Sequence, residues 1–167
     1  MDDLKGKGSV FKGRIIGIEP SAGEMGLLKD KVLKEYGLEG EYTLVDGSTP
    51  GMLAELKRAY QKKEPVVVVL WSPHWAYSTY DLTKLKDPRK AFGAESDGVT
   101  LARGGFSADH PRVASWLKDF TMSEEQLTGL EAQIQSTGKG KEQEAVRTWL
   151  KDHPGLADRW TPVDGTD

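Results

Sequence analysis

The stretch that most restricts the fold of this chain is Val66–Leu70, "VVVVL", which contains no polar residue to mark a solvent face. A strand with one wet face alternates apolar and polar residues, whereas a strand covered on both faces reads as an unbroken apolar run. Glu64–Pro65 break the helical pattern just before it. The run is also far too short to cross a bilayer, which takes about 20 apolar residues. Its valines therefore read as a central parallel strand with helices on both sides. That strand runs straight into Trp71, Ser72, Pro73, His74 and Trp75, with Tyr77 and Tyr80 close behind.

The flanking sequence supplies the partners such a strand needs. Arg14–Ile18 is a short buried-strand candidate, stopped by Pro20, and Tyr42–Val45 is a second. Between them a helix should start near Gly23. Met25, Leu28, Val32 and Tyr36 recur at helical spacing, and Gly37 is a natural stop. "DGSTPGM" offers another helix start, with Ser48 or Thr49 as N-cap and Pro50 at the first helical position. Met52, Leu53, Leu56, Ala59 and Tyr60 form the apolar face of that helix. The order β-α-β-α-β predicts an open α/β sheet, mostly parallel and flanked by helices.

Beyond the aromatic block, "KDPRKAFG" reads as a loop and Val99–Arg103 as a possible further strand. From His110 onward the pattern is helical, over Pro111–Phe120, Ser123–Gln135 with Ser123 as cap, and Gly140–Asp152. Trp116, Trp149 and Trp160 occupy helical apolar positions and are expected in the core. Residues 14–160 thus make one α/β lobe with C-terminal helices, and the tail 161–167 is expected to fray.

Several classes of function are disfavoured. The net charge is -3 with no basic stripe, which argues against nucleic acid. Without cysteine there is no thiol chemistry, and the three histidines show no metal-ligand spacing. No cofactor is expected, because neither a dinucleotide fingerprint nor a phosphate loop is present. The first residues carry no apolar core of a signal peptide. Ser72, His74 and Asp81 have the composition of a catalytic triad. Two residues apart along a chain rarely places Ser and His in contact, however, and there is no G-x-S-x-G elbow. The expectation is a protein that is not an enzyme.

Open α/β sheets bind ligands at the carboxyl ends of their strands. Three loops reach that edge: Pro20–Glu24, Gly47–Pro50 and Trp71–Trp75. Two lead into helix starts, where free N–H groups and the helix dipole favour an anion. The third brings indoles. An anion site beside an aromatic wall suits a zwitterion, and the matching cation is a quaternary ammonium. Such a group has no N–H to donate, but ring faces attract it by roughly 0.5–2 kcal/mol each. On composition alone, tight-turn glycines and ordinary packing tryptophans are the competing explanation.

"GRIIGIEPSAGEMG", "GSTPGMLAELKRAYQKKEPVVVVLWSPHWAYSTYDLTKLKDP" and "GGFSADHPRVASWL" together resemble the substrate-binding protein of glycine betaine/proline betaine ABC transporters. The W-[ST]-P-H-W block with its downstream Y-x-L-x-x-L-x-D-P is the specific part. The resemblance implies a periplasmic-binding-protein-like (type II) fold of two lobes that close over an osmoprotectant and deliver it to a permease outside the cytoplasm. It further implies that Trp71 is the cage tryptophan of this lobe. Gly23 and Glu24 match the pair whose backbone N–H groups meet the ligand carboxylate. Ser72, Pro73, His74 and Trp75 are expected to support the loop. Relatives carry an apolar residue where Glu24 stands, so its side chain is expected to point outward. Residues 1–13 correspond to a hinge-proximal linker and strand lead-in. The family's second lobe has no counterpart here, so the chain is expected to be one lobe that binds betaine weakly. The alternative is an interaction module that self-associates, as a homodimer, through the exposed cleft face around Trp71 and Tyr77.

Overall fold

β1 (Arg14–Ile16) and β2 (Thr43–Val45) pair in parallel, with Arg14 opposite Thr43, Ile15 opposite Leu44 and Ile16 opposite Val45. The structure is a computed structural model that describes residues 1–94 and 98–162. The expected third strand is reduced to a single parallel bridge between Val68 and Ile16. It is held by the Ile16 N–H donating to the Val67 carbonyl (2.9 Å) and the Val69 N–H donating to that of Ile16 (2.8 Å). β1, not the valine run, is therefore the middle of the sheet. Among the described residues β1 alone bridges to this run, and Val66–Leu70 are half-buried rather than fully buried.

The described chain falls into two compact units. The first comprises Met1–Trp71 and residues 82–94, the second Ser72–Asp81 and residues 98–162. In the first unit, α1 (Gly23–Leu27) runs through a π-helical turn at Leu28–Val32 into α2 (Leu33–Glu35). Met25, Leu28, Val32 and Tyr36 are all buried, as their spacing predicts. The segment ends at Gly37, whose φ of +62° is the left-handed conformation that favours glycine. α3 (Thr49–Lys62) is capped by Ser48, whose hydroxyl accepts the Gly51 N–H at 3.2 Å, and it buries Met52, Leu56 and Ala59.

The valine run lacks alternation because apolar clusters lie on both of its faces. On one side Val67 packs with Ile15, Val32, Tyr36, Leu38 and Tyr42. On the other Val68 and Leu70 pack with Ile18, Met25 and Met52. Fully burying a side chain such as Val32, Leu38 or Met52 contributes about 1.5–3 kcal/mol. The returning segment completes the first cluster with Ala91, Leu85 and Phe92. It is latched by Asp87, which accepts the Tyr36 hydroxyl (2.5 Å) and the Phe92 N–H (2.9 Å).

The second unit is helical: α4 (Ala76–Thr79), α5 (Phe106–Asp109), α6 (Pro111–Asp119), α7 (Glu124–Thr137), α8 (Glu142–Lys151) and α9 (Leu156–Trp160). Ser123 opens α7 with a capping box, exchanging hydrogen bonds with Gln126. Trp149 and Trp160 are core residues with Leu156. Trp116 is not: it is half-buried, with the Arg112 guanidinium 4.9 Å above its ring. The strand expected at Val99–Arg103 is absent. Val99 and Leu101 are 74% and 89% exposed, and no described strand pairs with them. From residue 163 the tail lies outside the described residues.

Candidate functional site

Strand register fixes which residues reach the carboxyl edge of the sheet. Ile16 aligns with both Val45 and Val68, so Glu19, Ser48 and Trp71 each stand three residues beyond a paired position. Gly23 and Glu24 open the helix that follows β1. All of these belong to the first unit. Gly17 lets the edge form: a Cβ there would lie 2.7 Å from the Val45 carbonyl oxygen and 2.4 Å from the Met25 methyl.

Only one of the two helix starts at this edge is open to an anion. At α3 the Glu19 carboxylate accepts both the Thr49 N–H (2.9 Å) and the Thr49 hydroxyl (2.7 Å). Those bonds hold its carboxyl below the usual range. Gly51 donates to Ser48, and Pro50 has no N–H to offer. The protein has thus filled this site with its own charge. At α1 the N-cap Ala22 has no capping side chain, and its carbonyl receives the N–H groups of Met25 and Gly26. Among the described residues, the N–H groups of Gly23 and Glu24 have no protein acceptor. No atom lies within 4 Å of a Cβ placed on Gly23, and Glu24 is exposed.

Trp71 is 37% exposed, enough to offer ring surface. Its sequence neighbours Ser72–Trp75 fall in the second unit. Here α7 holds them: the Ser72 hydroxyl donates to the Glu124 carboxylate, and the Trp75 N–H donates to Glu131 at 3.0 Å. The buried His74 ring accepts the Ala76 N–H through Nδ1 at 3.1 Å, so its proton sits on Nε2. Burial lowers its pKa, which favours the neutral form that this acceptor role requires. Glu19, Glu124 and Glu131 were not singled out from sequence, because each acts on a partner 30 or more residues away. The one available signal was the seven-residue spacing of Glu124 and Glu131, which puts both on one helix face. Among the described residues no group of three or more His, Asp or Glu could hold a metal ion.

The family model for the substrate binding domain of ABC-type glycine betaine transport systems matches residues 1–152. The glycine betaine/carnitine transport binding protein GbuC of Listeria monocytogenes is 30% identical over 99% of this chain and 56% of its own length. The structure of the glycine betaine/L-proline-binding protein ProX from Borrelia burgdorferi aligns with a TM-score of 0.79 and 33% identity, over 97% of this chain and 60% of that one. A choline-binding protein of an ABC transporter, in complex with choline, aligns with a TM-score of 0.74 and 28% identity, over 96% and 56%. The fold is thus of the periplasmic-binding-protein kind, and the chain spans a little over half the length of these relatives. It belongs to the family of substrate-binding domains of ABC-type glycine betaine transport systems.

Proposed function

We propose that this chain provides one lobe of a betaine-capturing protein, of the type II binding-protein fold, with Trp71 as one wall of a cation box. In this reading the Gly23 and Glu24 N–H groups receive the ligand carboxylate, and Ser72–Trp75 support the wall. No bond is made or broken; the lobe only binds and releases. The observation that carries the reading is the pair of unclaimed N–H groups at α1, on the same sheet edge as an exposed tryptophan, while Glu19 occupies the neighbouring helix start. A second lobe would close the box with further rings, and the whole protein would work outside the cytoplasm with an ABC permease. Among the described residues no helix is long and apolar enough to cross a membrane.

Half a box leaves much of the ligand in water, so affinity should be low. We expect a Kd in the millimolar range, about -4 kcal/mol. The test is an NMR titration with glycine betaine, following the Gly23 and Glu24 amide signals and the Trp71 indole. Saturable shifts at all three with millimolar affinity are expected. Shifts at none of them up to molar betaine would overturn the site, and micromolar binding would overturn the single-lobe reading. The exposure of Trp71 also favours a second reading, in which this face joins two copies of the chain.

A further inference from the structure

The residues after Trp71 are fastened at both ends by one helix of the second unit. Glu124 and Glu131 are two turns apart on α7 and share a face. Glu124 takes the Ser72 hydroxyl and Glu131 takes the Trp75 N–H, so the first and last residues of the tetrapeptide Ser72–Trp75 are both tied down. Trp75 is also the N-cap of α4, and it has no side-chain acceptor of its own there. The Glu131 carboxylate, from another helix, thus takes up the N–H that enters α4, while His74 Nδ1 takes the next N–H, that of Ala76.

The position of Glu131 is not the one solvent would choose. It is half-buried, as are Leu127, Leu130 and Ile134 within a turn of it on α7. Burial pushes its carboxyl above the usual range, against the lowering effect of the Trp75 bond. An exposed glutamate would carry no such cost. An acceptor held at that cost fits a fixed loop better than a solvated helix face.

We infer that Glu131 is a positioning residue for the betaine site, setting affinity by ordering the loop joined to Trp71 by a peptide bond rather than by touching ligand. The inference rests on the reading of Trp71 as a box wall. Glu131→Ala removes the acceptor, whereas Glu131→Gln keeps a carbonyl oxygen in the same place and removes only the charge. Hydrogen exchange of the Trp75 amide should quicken about ten-fold or more in E131A, as loss of a charged acceptor implies. Glycine betaine should bind E131A several-fold more weakly, with E131Q restoring both properties. If E131A does not fold, Glu131→Asp, one methylene short of the Trp75 N–H, makes the same comparison.

Betaine affinity equal to the parent's in E131A would overturn the inference and leave the betaine site standing. An E131Q as impaired as E131A would also overturn it, since charge and not loop geometry would then be at work. A parent with no betaine response would remove the site itself and the inference with it, whatever the exchange rates show.

Discussion

Gly17→Ala puts the shape of the sheet edge to a direct test. The added Cβ would sit 2.7 Å from the Val45 carbonyl oxygen, 2.4 Å from Met25 Cε and 2.8 Å from its Sδ. Met25 is 2% exposed, with its sulfur 3.4 Å from the Ile18 N–H, so its side chain has little room to retreat. The Val45 oxygen is backbone, and it accepts the Gly17 N–H at 2.9 Å. Moving it away stretches that bond. Overpacking costs roughly 1–3 kcal/mol, and the weakened bond adds up to about 1 kcal/mol. We therefore expect G17A to lose about 2–3 kcal/mol in urea unfolding followed by circular dichroism.

Met25→Ala separates the two clashes. It removes the flexible neighbour but leaves the Val45 oxygen in place. In a double-mutant cycle the double variant should remain at least about 1 kcal/mol less stable than M25A alone. A G17A protein within about 0.5 kcal/mol of the parent would refute the close-packed edge. A double variant no worse than M25A would show that the methionine, not the backbone, sets the limit.

Glu19→Gln tests the self-filled helix start. The native pKa of Glu19 is depressed, so its contribution is present above the ordinary carboxylate range and is lost as pH falls through the lower native value. E19Q should be less stable than the parent at pH 7, with the gap closing in acid; urea midpoints with the same separation at pH 7 and pH 3 would contradict this. Trp71→Ala should weaken betaine binding about 2- to 30-fold, the loss of one cation–π wall. In sedimentation, a dimer that persists unchanged in W71A would exclude this face as the contact between copies.

What the sequence disclosed was local or periodic. The Ser48 cap, the stop at Gly37 and the buried face of Met25, Leu28, Val32 and Tyr36 all follow from residues within a few positions of each other. The unalternating valines correctly announced apolar cover on both faces. They could not reveal how many neighbours hydrogen-bond to them, and the structure supplies one bridge. Val99–Arg103 has strand composition, yet propensity without a partner makes no strand. Trp116 sits at an apolar helical position, but a guanidinium covers it instead of a core. For the candidate site, strand order brought the loops Pro20–Glu24, Gly47–Pro50 and Trp71–Trp75 to one edge, and the family resemblance singled out Trp71, Gly23 and Glu24 within them. That Glu19 closes the rival helix start could not be named, because nothing near Thr49 in the sequence points to it.

The return of residues 82–94 to the first unit also bears on how the chain is made. Ala91 and Phe92 belong to a cluster whose other members include Leu4, Ile15 and Val32. A ribosome releases Trp71 well before it releases Phe92, and at about 5–20 residues per second the gap is on the order of 1–4 s. Through that interval the first unit exists without the side chains that complete its core and without the Asp87 latch on Tyr36. During synthesis it is therefore an unfinished surface, and its closure must wait for the first residues of the second unit to be made.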